Sequence, residues 1–196
     1  RIVAFSTGNV YPLTPVSSGG PREDHPLTPI GEYPNSAVAR ERIFEHFSHT
    51  RGIPMAILRL NYACELRYGV LVDIALKVWR EELIDLSMGH FNILWQGDAN
   101  AMTLWALAHT GVPPEVWNMT GPEILSTRAV AEQFGALLQK TPRFSGEPAT
   151  DALLNNAQRL LDAYGPPRVS TEQLLQWIAA WIQQDGELLN KPTHFD

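Results

Sequence analysis

The sequence predicts an α/β fold built on a parallel sheet, specifically the C-terminal portion of a doubly wound sheet with a small, mainly helical lobe. Short apolar runs at 2–5 and 53–60 are typical of buried strands, and a segment of helical length at 34–50 separates them. Adjacent parallel strands need such a crossover, which is almost always right-handed. The composition, 44% hydrophobic and 18% charged over 196 residues, is that of an ordinary globular chain with its own core.

The first strand is followed by a loop over residues 12–30 that is rich in proline, glycine and serine. Irregular segments of this length are uncommon in compact domains and are often functional. Pro34 is tolerated in the first turn of the helix that follows, and Gly52 is a stop signal at its end. The apolar stripe of this helix is expected to consist of Val38, Ile43, Phe44 and Phe47.

The remainder of the chain alternates between further helices and short strands. Helices are predicted at 71–81, 98–109, 127–139, 155–164 and 171–184, and short strands at 91–95 and 116–119. Asp98, Ser126 and Ser170 are expected to cap three of these helices, since their side-chain oxygens accept hydrogen bonds from free backbone N–H groups.

Charge and composition argue against several classes of protein. A net charge of −6 without a basic run argues against nucleic-acid binding. No apolar run approaches the roughly 20 residues that a membrane helix needs. A single cysteine, Cys64, excludes an intramolecular disulfide and suits a reducing, cytoplasmic compartment. His46 and His49 have no third ligand nearby in the sequence, so no metal site is expected.

Hydroxyl side chains mark the region where chemistry is expected. Thr7 and Tyr11 follow the first strand, whose end should face the crevice where parallel sheets bind ligands. Tyr33, at a helix start after the long loop, can face the same crevice. A phenol has a reference pKa near 10, so it acts as a base at neutral pH only when a nearby cation stabilises its phenolate.

Several short motifs occur in an order that resembles one family. They are Ser6-Thr7-Gly8-Asn9-Val10-Tyr11, Tyr33 with Ser36 and Glu41, Arg59-Leu60-Asn61-Tyr62, Trp95-Gln96-Gly97-Asp98-Ala99 and Val116-Trp117-Asn118-Met119-Thr120-Gly121. Each motif alone is weak, but their order and spacing resemble those of the extended short-chain dehydrogenases/reductases, the family of NAD-dependent epimerases and dehydratases. The resemblance implies a Rossmann-like sheet and an oxidoreductase that acts on a hydroxyl or keto substrate, such as a nucleotide sugar.

The resemblance also implies roles for individual residues. Thr7 takes the place of the catalytic Ser/Thr, and Tyr33 takes that of the acid/base tyrosine. Contacts with NAD or NADP are implied for Ser6, Tyr33 and Asn61. Contacts with a small-molecule substrate are implied for Asn9, Tyr11, Asn61, Glu65 and Arg67. The family often pairs through the tyrosine helix, so a homodimer is expected.

Two departures from the family pattern limit what the resemblance implies. The lysine expected four residues after the tyrosine is Ala37, and no Gly-rich turn between a strand and a helix offers a phosphate cradle. Residues 1–63 are therefore interpreted as the remnant of a cofactor domain in a truncated chain, active only with an N-terminal half. Residues 64–196 are interpreted mostly as a substrate lobe, with 92–121 partly returning to the sheet. The alternative is a catalytically impaired member that senses a cofactor or binds a partner.

Overall fold

The computed structural model describes residues 1–191 and 193. Its helices are α1 (Glu32–Arg51), α2 (Val70–Trp79), α3 (Gln96–Ala108), α4 (Thr127–Leu138), α5 (Gln158–Tyr164) and α6 (Thr171–Gln183). Its longer strands are β1 (Ile2–Thr7), β3 (Met55–Leu60) and β8 (Glu115–Met119). Shorter strands are β2 (Thr14–Pro15), β4 (Ala63–Cys64), β5 (Leu83–Asp85), β6 (His90–Phe91), β7 (Leu94–Trp95), β9 (Leu125–Ser126), β10 (Arg143–Ser145) and β11 (Asp151–Ala152). None of the described helices is both long and apolar enough to cross a bilayer.

The three longer strands form a parallel sheet in the order β1-β3-β8. Helices cover both faces of the central strand β3. Successive side chains of a strand point to opposite faces, so neighbouring residues of β3 contact different helices. Leu58 packs in an apolar cluster with Met102 and Ala106 of α3, whereas Arg59 pairs with Glu41 of α1. The prediction of an α/β fold with a parallel sheet is confirmed.

A second apolar core lies among α2, α4 and α6, which pack on one another. Its largest fully buried side chains include Leu71, Phe91 and Phe134. Ser126 and Ser170 cap α4 and α6 as predicted, and their hydroxyls accept the N–H groups of Ala129 and Gln173. These two caps place the helix starts of this core where the sequence predicted them.

The structure corrects the predicted apolar face of α1. Val38 of the predicted stripe is buried, but Ile43 is 57% exposed and Phe47 is 46% exposed, and the helix also buries Ala37, Glu41 and Ser48. The sequence pattern failed here because the most buried positions are held by a small residue, a paired carboxylate and a hydroxyl. Phe5 of β1 is also 46% exposed, since β1 is an edge strand of the described sheet.

Two further expectations about local structure are wrong. Asp98 does not cap α3, because the helix begins at Gln96, and its carboxylate accepts the backbone N–H groups of Arg168 and Val169 at 3.1 Å each. The predicted strand at 91–95 is two separate two-residue strands, β6 and β7, which pair with different partners. Isolated pairs this short depend on tertiary contacts that a local pattern does not reveal.

Candidate active-site cleft

A cleft of about 860 Å³ opens at the carboxyl ends of β1 and β3. The start of α1 forms one wall, and the segment from β3 to α2 forms the other. It is lined by Thr7, Asn9, Ile30, Gly31, Glu32, Tyr33, Pro34, Leu60, Asn61, Tyr62, Ala63, Tyr68, Gly69, Val70 and Thr193. Its position is the one where parallel α/β sheets bind their ligands.

Four of the predicted site residues come together in this cleft: Thr7, Asn9, Tyr33 and Asn61. The Thr7 hydroxyl accepts the Asn9 N–H at 3.2 Å, which caps a single 3₁₀ turn at the end of β1. The Asn61 amide donates to Oδ1 of buried Asn92 at 2.8 Å, and its backbone N–H donates to the Met119 carbonyl at 3.0 Å. Tyr33 is 59% exposed, so its phenol is accessible to a ligand.

The other predicted site residues do not line the cleft. Ser6 is buried in β1, and its hydroxyl has no hydrogen-bond partner among the described residues. Tyr11 is buried, with its hydroxyl engaged by other side chains. Glu65 and Arg67 pair with each other at 3.1 Å in the loop before α2.

Sequence reasoning missed four polar side chains of the cleft: Glu32, Tyr62, Tyr68 and Thr193. Tyr62 was visible within the Arg-Leu-Asn-Tyr motif, and Glu32 directly precedes Tyr33 in the sequence. Tyr68 had no such signal, because the β-bridge between Glu65 and Tyr68 and the turn at Gly69 bring it to the wall.

Tyr62 has a left-handed backbone, with φ at 40°, which is unusual for a bulky residue. Such strain costs of order 1–3 kcal/mol and clusters at functional sites. Burial raises the pKa of Tyr62 to about 12. The pKa of Tyr68 is also raised, first by burial and then by the nearby charge of Asp73. Both phenols therefore stay protonated at neutral pH and can donate hydrogen bonds.

A buried ion pair attaches α1 to β3 beside the cleft. Arg59 binds Glu41 with two parallel hydrogen bonds, Nε to Oε1 at 3.1 Å and Nη2 to Oε2 at 2.8 Å. The second terminal nitrogen donates to the Tyr11 hydroxyl at 2.7 Å and to the Glu23 carbonyl at 3.0 Å. Desolvation lowers the pKa of Arg59, but its hydrogen bonds to Glu41 and the charges around it raise the pKa overall. Arg59 is therefore held as a cation.

The same polar network ties the long loop to the sheet. The Tyr11 hydroxyl donates to Oδ1 of Asn118 at 2.9 Å. The Asn118 amide donates at 3.0 Å to the carbonyls of Pro21 and Asn156, and its backbone N–H donates to the Glu23 carboxylate at 2.9 Å. The pKa of Tyr11 is raised, because desolvation outweighs the opposing effects of Arg59 and Asn118. The loop is thus fastened over the carboxyl ends of β3 and β8.

Ala37, at the position where the resemblance implies a lysine, lies buried outside the lining of the cleft. It is fully buried in an apolar cluster with Val10, Tyr11 and Val38, and Leu27 of the long loop packs against this cluster. It is not among the residues that line the cleft. The loop therefore covers the position from which a cationic side chain would have extended.

Cys64 and the histidines give no sign of nucleophilic or metal chemistry. Cys64 is buried, burial raises the pKa of its thiol to about 12, and the thiol donates to the Tyr62 carbonyl at 3.7 Å. Within residues 1–191 and 193, no group of three His, Cys, Asp or Glu side chains is arranged to hold a metal ion.

Comparison with known proteins identifies the fold by structure alone. No family model matches the sequence, and no curated protein matches it. Among solved structures, dTDP-glucose 4,6-dehydratase from Bacillus anthracis in complex with NAD matches with a TM-score of 0.79 at 22% identity, over 94% of this chain and 62% of that chain. UDP-glucuronic acid 4-epimerase from Bacillus cereus in complex with NAD matches with a TM-score of 0.79 at 17% identity, over 93% and 61%. RMD from Pseudomonas aeruginosa, complexed with NADPH, matches with a TM-score of 0.76 at 19% identity, over 91% and 64%.

The chain spans about three fifths of the length of these solved structures. At these identities the likeness establishes architecture rather than activity. The match nevertheless extends over nearly all of this chain, including the sheet, α1 and the lobe of α2, α4 and α6. The resemblance stated from the motifs is thereby confirmed for the fold: this chain has the Rossmann-like architecture of the NAD-dependent epimerases and dehydratases.

Proposed function

We propose that the protein is an NAD(P)-dependent oxidoreductase of the epimerase/dehydratase type, acting on a small substrate with a hydroxyl or keto group, such as a nucleotide sugar. The observation that supports this proposal is the convergence of Thr7, Tyr33 and Asn61 on one cleft. The three residues come from three separate motifs, and they lie at the end of β1, the start of α1 and the end of β3.

The cleft fits the nicotinamide end of such a cofactor better than its phosphates. Thr7, Tyr33 and Asn61 offer a hydroxyl, a phenol and an amide, which suit a ribose and a carboxamide. No Gly-rich turn that begins a helix lies among the lining residues to cradle a pyrophosphate. We therefore propose that turnover needs dinucleotide-binding residues other than these 196. When bound, a nicotinamide cofactor supplies the hydride acceptor or donor.

Three side chains of the cleft have separate roles in the proposed reaction. Thr7 orients the reacting oxygen of the substrate through a hydrogen bond. Tyr33 exchanges a proton with that oxygen, and such general acid–base catalysis contributes about 10²–10⁴-fold to a rate. Asn61, held by Asn92 and the Met119 carbonyl, fixes the floor of the cleft next to both.

Replacement of the phenol tests this mechanism directly. Tyr33→Phe removes the exchangeable proton, so turnover at saturating cofactor and substrate should fall by at least about 100-fold. The measurement is the formation of product from a panel of nucleotide sugars, followed by NMR or chromatography so that turnover that returns the cofactor to its starting state is also detected, alongside a cofactor titration. Tyr164→Phe, on α5 and outside the cleft, is the matched control. Unchanged turnover in Tyr33→Phe would exclude the proposed role of this phenol.

The burial of Ala37 favours a second candidate function. A catalytically impaired member of the same fold would bind a cofactor or a partner without turning over a substrate. It would bind the nicotinamide cofactor in a titration, yet no sugar of the panel would be converted to product. The division of the chain at residue 63, the homodimer through α1 and the cytoplasmic location stay predictions.

A further inference from the structure

Two carboxylates influence the charge of the cleft. Glu32 lines it at the first turn of α1, where its negative charge offsets the positive end of the helix dipole. Asp73 lies behind the opposite wall, where its carboxylate accepts a hydrogen bond from the hydroxyl of Thr193, a lining residue. Because Asp73 is already engaged, an anionic ligand would chiefly face the negative charge of Glu32 at the start of α1.

Two cations that adjoin lining residues in the sequence, Arg59 and Arg67, are already engaged. Arg59 is buried and shared between Glu41, Tyr11 and the Glu23 carbonyl. Arg67 is bound to Glu65. Among the described lining residues there is no Lys, Arg or His. Burial of a second carboxylate near Glu32, without a cation among these lining residues, is therefore unfavourable.

The other polar groups of the cleft suit hydroxyl groups. Thr7 and the phenols of Tyr33, Tyr62 and Tyr68 both donate and accept hydrogen bonds. Asn9 and Asn61 do the same through their amides. The aromatic rings of the three tyrosines add apolar area against which the C–H face of a sugar ring can pack. Apart from Glu32, these side chains form an uncharged surface that both donates and accepts hydrogen bonds, as the hydroxyl groups of a sugar require.

We propose that the cleft selects an uncharged, hydroxyl-rich ring over a ring that bears a carboxylate, with Glu32 as a specificity residue. This inference rests on the proposed function, since it concerns the reacting ring of the same substrate. Glu32 acts at the rim, so it discriminates between rings without touching the atoms that react. Its replacement should change preference more than rate.

A matched pair of ligands tests the selection. UDP-glucose and UDP-glucuronic acid differ only in a hydroxymethyl group against a carboxylate, so contributions from the nucleoside and the diphosphate cancel. Calorimetric titration of the complete protein, with its nicotinamide cofactor present, should give UDP-glucose an affinity about tenfold higher at low salt. The ratio should shrink as salt rises, because exposed charges such as Glu32 are screened.

Substitution of the carboxylate assigns the effect to one residue. Glu32→Gln should reduce the preference by at least about threefold, through tighter binding of UDP-glucuronic acid. Glu132→Gln, at an exposed position of α4 outside the cleft, makes the same change of charge and should leave the affinity ratio unaltered. Equal affinities, a preference for the acidic ligand, binding of neither, or a ratio that is the same in both variants would each overturn the proposal.

The proposed function fails in a different way. Absence of turnover and of cofactor binding, together with a retained preference for UDP-glucose that Glu32→Gln reduces, would overturn the oxidoreductase and leave the selectivity of the cleft standing. Turnover of both ligands with equal affinity would do the reverse.

Discussion

Ala37 is the single residue on which the two candidate functions depend. A lysine here would have its stem among Val10, Tyr11 and Leu27, and its ammonium would need a route out of an apolar cluster. Sequence reasoning treats the position as a missing catalytic cation. In the structure Leu27 of the long loop packs against the cluster that contains Ala37. A lysine at this position would have to fit into that cluster before its charge could act on the tyrosine.

We therefore expect Ala37→Lys to destabilise the fold rather than create an efficient enzyme. Overpacking and the burial of an unpaired ammonium should lower the free energy of unfolding by about 3 kcal/mol. Urea denaturation of the variant measures it. Ala39→Lys, exposed two residues along the same helix, should cost less than about 0.5 kcal/mol. A stable Ala37→Lys protein with higher turnover would show that the loop yields and that the site was only weakened.

At the level of single residues, the sequence identified part of the cleft correctly in position. Thr7 and Asn61 follow strands, and Tyr33 starts a helix, so local pattern and parallel topology suffice to bring them to one edge. Tyr11 follows the same strand, yet its hydroxyl is used by Arg59 and Asn118, which are 48 and 107 residues away in the chain. Partners that distant cannot be read from spacing. The interpretation of Tyr11 as a site residue rested on its position after the first strand and on the family motif.

At the level of elements, α1 is anchored by its polar side. Glu41 lies eight residues, slightly more than two turns, after Tyr33, so its pairing with Arg59 helps to fix the height of the helix and of the phenol at the cleft. The predicted stripe of Ile43, Phe44 and Phe47 would have anchored another face. Apolar periodicity could not detect an interface made by Ala37, Glu41 and Ser48.

Removal of the charge on Glu41 should have a large effect. Glu41→Gln leaves the Arg59 guanidinium buried without its counter-ion, and breaking such a pair costs about 3–5 kcal/mol. Chemical denaturation measures the loss. Glu45→Gln lies one turn later on the same helix, and Glu45 forms no ion pair with a described residue. This substitution should change the free energy of unfolding by less than about 0.5 kcal/mol. Equal effects in the two variants would mean that the ion pair contributes little to holding α1.

At the level of the whole molecule, β3 is the centre of the sheet. It has β1 on one side and β8 on the other, with α1 and α3 on its faces. The sequence predicted the parallel unit of β1, α1 and β3, because strand, helix and strand in order leave few alternatives, but not the place of β8 beside β3. It did not predict the short pairs such as β5 with β10 and β2 with β11. Their register follows from where the larger elements place the connecting chain.

Native-state hydrogen exchange should reveal this hierarchy. Amides of β3 should exchange only through the most global opening, and those at the start of edge strand β1 should exchange faster, by at least about tenfold. Mass spectrometry of peptic fragments that cover 2–7 and 55–60 measures the difference, with α1 as an internal reference. Equal protection of β1 and β3 would mean that β1 is covered by something other than the described residues.

The fastening of the long loop determines how a ligand enters and leaves. Pro21 and Glu23 are held by Asn118 and Arg59, and Pro21 also accepts the N–H of Asn156 at 2.9 Å. Displacement of this loop would break its hydrogen bonds with two buried residues, Arg59 of β3 and Asn118 of β8. The loop is therefore held in place at Pro21 and Glu23, and ligand binding and release at the cleft should not depend on its displacement.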